Sequence, residues 1–221
     1  MQTQPLSIMQ IKSPLELVIN GQQVVVDDPE PEMTLLQFLR SRGLTGTKLG
    51  CAEGGCGACT VMVGSMEEGK ELKYSVNACL APICSLNKKS VTTVEGIGNC
   101  KEPHPIQQAM AEEFGSQCGF CTPGIVMSFY TLESSKGKVS DEDVERSVDG
   151  NLCRCTGYRS ILKAAKKACM KACEKQGSCF KDMEDFCKDS KELKIFSGER
   201  VTWHHLYTKE HVLHYLKATT I

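Results

Sequence analysis

The chain has 221 residues, of which 41% are apolar and 24% charged, the composition of one or two ordinary folded domains and not of a disordered segment. Its 26 basic and 27 acidic side chains leave no broad positive footprint for nucleic acid or anionic lipid. No apolar run exceeds the four residues 78–81 and no basic stretch leads into an apolar core at the start, which argues against a membrane span or secretory leader and for a cytoplasmic location, with the peroxisome as the second compartment considered.

Taken in order, residues 15–19 (LELVI) and 22–26 (QQVVV) are β-prone runs around Asn20-Gly21, a pair suited to a two-residue hairpin turn. Thr34 and Gln37 fit a capping box, followed by Leu35, Leu36, Phe38 and Leu39 on one face and Gly43 just past the end, so a short amphipathic helix is predicted. Strand candidates follow at residues 60–63, 72–77 and 90–94. Together they predict a small mixed α+β domain over residues 12–98. Beyond Gly98 the pattern turns helical. Pro105 suits a first helical position, Pro123 opens a second helix, Ser140 caps a third, and residues 160–175 form a basic fourth. The second predicted unit is therefore a four-helix domain over residues 104–175. Residues 176–192 read as a polar linker, and 193–221 as a strand and helix without sheet partners, expected not to form a stable unit alone.

Fourteen cysteines stand out, and in a reducing compartment clustered thiols more often bind metal than pair as disulfides. Cys51, Cys56 and Cys59 in GCAEGGCGACT, with Cys79 following, give the C-x4-C-x2-C…C spacing of plant-type 2Fe-2S ferredoxins. The glycines allow one loop to wrap a cluster and bring backbone N–H groups to its sulfurs. A zinc knuckle usually draws on short C-x2-C pairs instead. The second set is Cys118 and Cys121 in QCGFCTPG with Cys153 and Cys155 in GNLCRCTGYR. Each pair precedes a predicted helix, whose free N–H groups suit a site of net negative charge. The rival reading of both sets is a zinc-stabilised interaction module without redox activity, distinguished by its lack of visible absorption.

The runs SVNACLAPICSLNKKSVTTVEGIG, SQCGFCTPGIVMSFYTL and GNLCRCTGYRSIL, in this order after GCAEGGCGACTVMV, resemble the N-terminal iron-sulfur portion of the molybdenum hydroxylases, in the branch of xanthine dehydrogenase and aldehyde oxidase. The resemblance implies a ferredoxin-like (β-grasp) domain followed by an all-α domain with a second cluster. It also implies an oxidoreductase component that relays electrons singly from a molybdopterin centre to FAD during purine or aldehyde hydroxylation. By position, Cys51, Cys56, Cys59 and Cys79 would hold the flavin-side cluster. Cys118, Cys121, Cys153 and Cys155 would hold the molybdenum-side one, with Gln117 and Cys155 contacting the pterin. Residues 193–221 resemble the incomplete start of an FAD-binding domain, so the FAD and molybdopterin domains or subunits are the expected partners, in a homodimer when complete. This chain alone is not expected to hydroxylate substrate. Cys84, Cys100, Cys169, Cys173, Cys179 and Cys187 are left over, with packing favoured over a third metal site, and His211 and His214 are read as part of an amphipathic tail helix.

Overall fold

A computed structural model describes residues 13–172, 194–197, 201–206 and 208–219. Strands β1 (Leu15–Ile19), β2 (Gln22–Val26), β3 (Thr60–Glu67), β4 (Lys70–Asn77) and β5 (Ser90–Thr92) form one sheet in the order β2-β1-β5-β3-β4. β1 and β5 run parallel and the other neighbours antiparallel. The β1–β2 hairpin turns on Asn20 and Gly21, both with φ in the left-handed region (50° and 78°), as their residue types predict.

Helix α1 (Leu35–Ser41) starts at Thr34, whose hydroxyl accepts from the Gln37 N–H while the Gln37 side chain accepts from the Thr34 N–H, closing the expected capping box. Leu35, Leu36, Phe38 and Leu39 lie against Leu15, Leu17, Ile19, Val61, Val63 and Val91 of the sheet. Burying each such side chain contributes about 1.5–3 kcal/mol before its ordering entropy is set against it.

The second core is helical. It contains α2 (Pro105–Glu112), α3 (Thr122–Ser135), α4 (Asp141–Ser147) and α5 (Arg159–Ala172). Ser140 caps α4 through Asp143, as predicted, and α5 buries Ile161, Ala164, Ala165 and Ala168 at helical spacing. These alanines keep α5 slim where it packs on α2.

The two cores share one strand. β3 alternates with period two, sending Val61 and Val63 into the first core and Met62 into the second, where α3 covers the other face of the sheet. Its near-continuous apolar run reflects burial on both faces.

The tail differs from the sequence-based expectation. β6 (Lys194–Ser197) and β7 (Thr202–His205) pair as an antiparallel hairpin followed by α6 (Lys209–Thr219), and Phe196 is buried in the first core, 2% exposed, with Trp203 packed beside it. The predicted strand has found its partner in residues 202–205 of the same tail, and its apolar anchor in the sheet domain. The predicted linker, residues 176–192, lies outside the described residues. Among the described residues no helix is long and apolar enough to cross a membrane.

Candidate metal centres

The first candidate centre sits on the loop between α1 and β3. Cys51 and Cys56 are half-buried on its outer turn, while Cys59 and Cys79 are buried where β3 begins and β4 ends. The loop is tightly determined. The Asn77 side-chain amide donates to Gly54 O at 2.8 Å, the Ala78 N–H to Cys59 O at 3.2 Å, and the Lys48 N–H to Ala58 O at 3.2 Å. A Cβ at Gly50 would lie 2.6 Å from the Cys56 sulfur, so glycine there is what leaves the sulfur its place.

The thiols of this centre influence one another in two pairs. The Cys51 thiol lies against that of Cys56, and the Cys59 thiol against that of Cys79, with Cys59 also sensing Cys56. The backbone N–H of Glu53 reaches the Cys51 sulfur at 3.4 Å. With the Cys56 thiol and the N–H groups of Cys56 and Gly55 it brings the Cys51 thiol down to about 7. Burial has the opposite effect on Cys59, pushing it up to about 11. A donor set of this kind, part exposed and part sunk in the core, suits thiolates whose charge is shared with a positive inorganic core.

The second centre is built by two loops. One leads into α3, for which Cys121 is the first flanking residue; the other leads into α5. Here too the thiols pair, Cys121 with Cys153 and Cys118 with Cys155, and the pairs sense each other across the site. Cys121 and Cys153 face inward, whereas Cys118 and Cys155 are exposed. Burial, reinforced by the neighbouring Cys153, pushes the Cys121 thiol up to about 12. Burial also acts to raise Cys153, but the Thr156 hydroxyl, the N–H groups of Thr156 and Cys155 and the Cys121 thiol outweigh it and hold Cys153 low. Thr156 Oγ1 lies 3.1 Å from the Cys153 sulfur. Tyr158 clamps the loop, its hydroxyl accepting from the Cys153 N–H at 2.7 Å and donating to Asn151 O at 2.8 Å.

Two thiol pairs per site is the arrangement a 2Fe-2S cluster asks for, two thiolates to each of two irons. The residues present fit that group. Among the described residues, no three or more His, Cys, Asp or Glu side chains are grouped as a site for a single metal ion. Gln117 lies beside Cys155, its side-chain amide donating to Cys155 O at 3.2 Å, and both are exposed. Of the remaining cysteines, Cys84 and Cys169 are buried and Cys100 is exposed, while Cys173, Cys179 and Cys187 lie outside the described residues. His211 is half-buried on α6, and the His214 side chain lies outside the described residues.

The centres meet through residues that spacing did not single out. The Leu152 N–H donates to Cys56 O at 2.9 Å, and the buried Asn151 side chain joins Gly57, Thr60 and Ser128. Only the run GNLCRC itself hints at them, as neighbours of two candidate ligands.

Comparison with known proteins agrees with this geometry. Residues 17–84 match the 2Fe-2S iron-sulfur cluster binding domain family and residues 93–166 the 2Fe-2S binding domain family. The chain is 45% identical to xanthine dehydrogenase/oxidase of Mus musculus over 240 residues, covering 90% of this chain and 18% of that protein. It is 58% identical to xanthine dehydrogenase of Emericella nidulans over 154 residues, covering 69% of this chain and 11% of that protein. Among solved structures, aldehyde oxidoreductase from Desulfovibrio desulfuricans superposes with a TM-score of 0.64 at 36% identity, over 72% of this chain and 17% of that one. Quinoline 2-oxidoreductase from Pseudomonas putida 86 superposes with a TM-score of 0.61 at 32% identity, over 73% of this chain and 96% of that one. The chain thus spans less than a fifth of the length of these xanthine dehydrogenases.

Proposed function

Because the chain belongs to the iron-sulfur portion of the molybdenum hydroxylases, in the xanthine dehydrogenase branch, we propose that it relays electrons singly from a molybdopterin centre to FAD while the complete enzyme hydroxylates a purine or an aldehyde. The observation that carries this reading is the presence of two four-cysteine sets of the spacing expected for 2Fe-2S sites, in regions that match two 2Fe-2S binding families and on loops joined through Leu152 and Asn151. A 2Fe-2S group supplies one-electron storage. Everything else is the work of this chain's residues. Cys51, Cys56, Cys59 and Cys79 hold the first group, and Cys118, Cys121, Cys153 and Cys155 the second. The buried sides of both sites keep water from half of each, and backbone N–H groups offset thiolate charge.

The exposed face of the second site, with Gln117 and Cys155 in contact, is the side we assign to the pterin, and the first site then serves the flavin. Residues 12–98 and 104–175 act as the two cluster-binding units, the second a four-helix domain, with 176–192 as linker. We assign residues 193–221 to the start of an FAD-binding domain. A 90% match to the mouse protein cannot be contained in residues 1–172 and must run into this tail. Homodimeric assembly rests on the family resemblance, and a cytoplasmic location on the clustered thiols, which suit a reducing compartment.

Iron and acid-labile sulfide counted per chain, with EPR of the reduced protein, test the proposal. About four irons in two distinct 2Fe-2S signals are expected. Stoichiometric zinc in anaerobically purified, colourless protein would instead establish the zinc-stabilised module.

A further inference from the structure

Asn151 is 5% exposed, lies two residues before Cys153, and carries three side-chain polar contacts that reach two other ligand-bearing segments. Its Nδ2 donates to Gly57 O at 3.0 Å, between Cys56 and Cys59, and to Thr60 Oγ1 at 3.3 Å, next to Cys59. Its Oδ1 accepts from the Ser128 hydroxyl at 2.7 Å, and Ser128 stands on α3, the helix that begins after Cys121. Its own backbone carbonyl receives the Tyr158 hydroxyl, which also holds the Cys153 N–H.

The packing at this point leaves no slack. A Cβ on Gly124 would run into Gly57 O, and one on Gly57, which has φ +67°, would run into Gly150 O, so backbone meets backbone on both sides of the amide. The amide uses both donors and its acceptor, and no other side chain type of this volume offers that set. An uncompensated loss there takes the Asn151 donor from Gly57 O and the nearer acceptor from the Ser128 hydroxyl, leaving each only contacts within its own segment, Thr60 on Gly57 O and Ser128 on Gly124 O.

We propose that Asn151 is a positioning residue that fixes the separation and mutual orientation of the two cluster sites by tying segments 56–60, 121–128 and 151–155 to one buried amide. This rests on the proposed reading that both sites hold 2Fe-2S groups. It assigns the rigidity of the relay to one side chain that ligates neither group. Each unit has its own core and keeps its own ligands without Asn151. What Asn151 adds is the fixed distance between them.

The test is pulsed EPR on the fully reduced, cluster-loaded chain, reading the magnetic dipolar interaction between the two clusters. That interaction falls with the cube of their separation. In the unsubstituted protein a single narrow distance is expected. Asn151→Leu, which keeps the branched shape and removes all three contacts, should retain both individual signals and lose that narrow distance to a broad distribution. Asn20→Ala serves as control. It removes a part-buried polar contact between the β1–β2 turn and Thr93, far in sequence from every ligand, so it should destabilise the protein and leave the distance unchanged. If Asn151→Leu fails to assemble its clusters, Ser128→Ala decides. It removes one hydrogen bond from Oδ1, and a broadened distance supports the proposal. An unchanged narrow distance in whichever of these two variants carries both clusters would overturn it. Absence of iron from the unsubstituted protein would overturn the functional reading instead, so the two failures are distinct.

Discussion

Thr156 stands 3.1 Å from the Cys153 sulfur and is the one side-chain hydroxyl that contacts a thiol of either centre among the described hydrogen bonds. With Cys153 as a thiolate, the hydroxyl donates. Such a bond favours the more negative, reduced state, because hydrogen bonds to the sulfurs help set a cluster's potential. A bond to a charged acceptor is worth about 1.5–3 kcal/mol in full. Only part of that differs between redox states, and 59 mV corresponds to about 1.4 kcal/mol for one electron. Thr156→Val should therefore lower the potential of the second cluster by some tens of millivolts and leave the first in place. An EPR-monitored redox titration measures both, and equal shifts in the two, or none in the second, would remove Thr156 from this role. Cysteine spacing marks the two candidate four-thiol sets because a shared metal site imposes a local pattern on the chain. Thr156 carries no such pattern. Its role appears only once the loop turns back at Gly157 and Tyr158, both in the left-handed region.

At the scale of elements, α2 shows which parts of the fold are written locally. Pro105 announces its first turn, yet the cap is His104, whose Nδ1 accepts from the Ile106 N–H at 3.3 Å while its own N–H donates to Gln107 Oε1 at 2.9 Å. Histidine is not among the residues a capping search looks for, so this end was read from the proline alone. Thr34 and Ser140, by contrast, announce their boxes through residue type and spacing. The other end of α2 is fixed across space. Glu113, its side chain only 14% exposed, receives Lys163 and Lys167 of α5, each at 2.7 Å. Hydrogen bonds from Lys163 and then Lys167 hold its carboxyl at about 2, against the usual 4.5. A carboxylate with a depressed folded value contributes stability that is full above its unfolded value and lost as the pH falls toward the folded one. The destabilisation caused by Glu113→Gln, read as the difference in urea midpoint from the parent protein, should thus be largest near neutrality and shrink between about pH 4.5 and 2. A difference constant across that range would mean that the lysines do not stabilise the carboxylate in the folded state.

At the scale of the whole molecule, long-range contacts decide what the sequence leaves open. Nothing local in TVMV says that Met62 serves the helical core while its neighbours serve the sheet, and nothing in KIFS says that Phe196 enters the first core more than a hundred residues away from its partners. The hairpin β6–β7 has four residues in each strand, a size that is marginal in water by itself. What holds it is the surface it lies on, behind the 3-10 turn Ile83–Leu86 that follows Cys79. Phe196 is the buried anchor of that contact, with Trp203 beside it on the paired strand. Truncating a buried phenylalanine typically costs about 3–5 kcal/mol, more than a short hairpin recovers from its own ladder. Phe196→Ala should therefore release the hairpin from the sheet domain. Hydrogen exchange over Lys194–Ser197 would rise to the rate of exposed chain, and limited proteolysis would cut there first. Both cluster signals should persist, because Cys79 is held by its own neighbours, through the Ala78 N–H on Cys59 O and the burial of Ile83 and Cys84. Exchange at residues 194–197 that stays as slow as in β1 after the substitution would show that the hairpin docks through contacts other than Phe196.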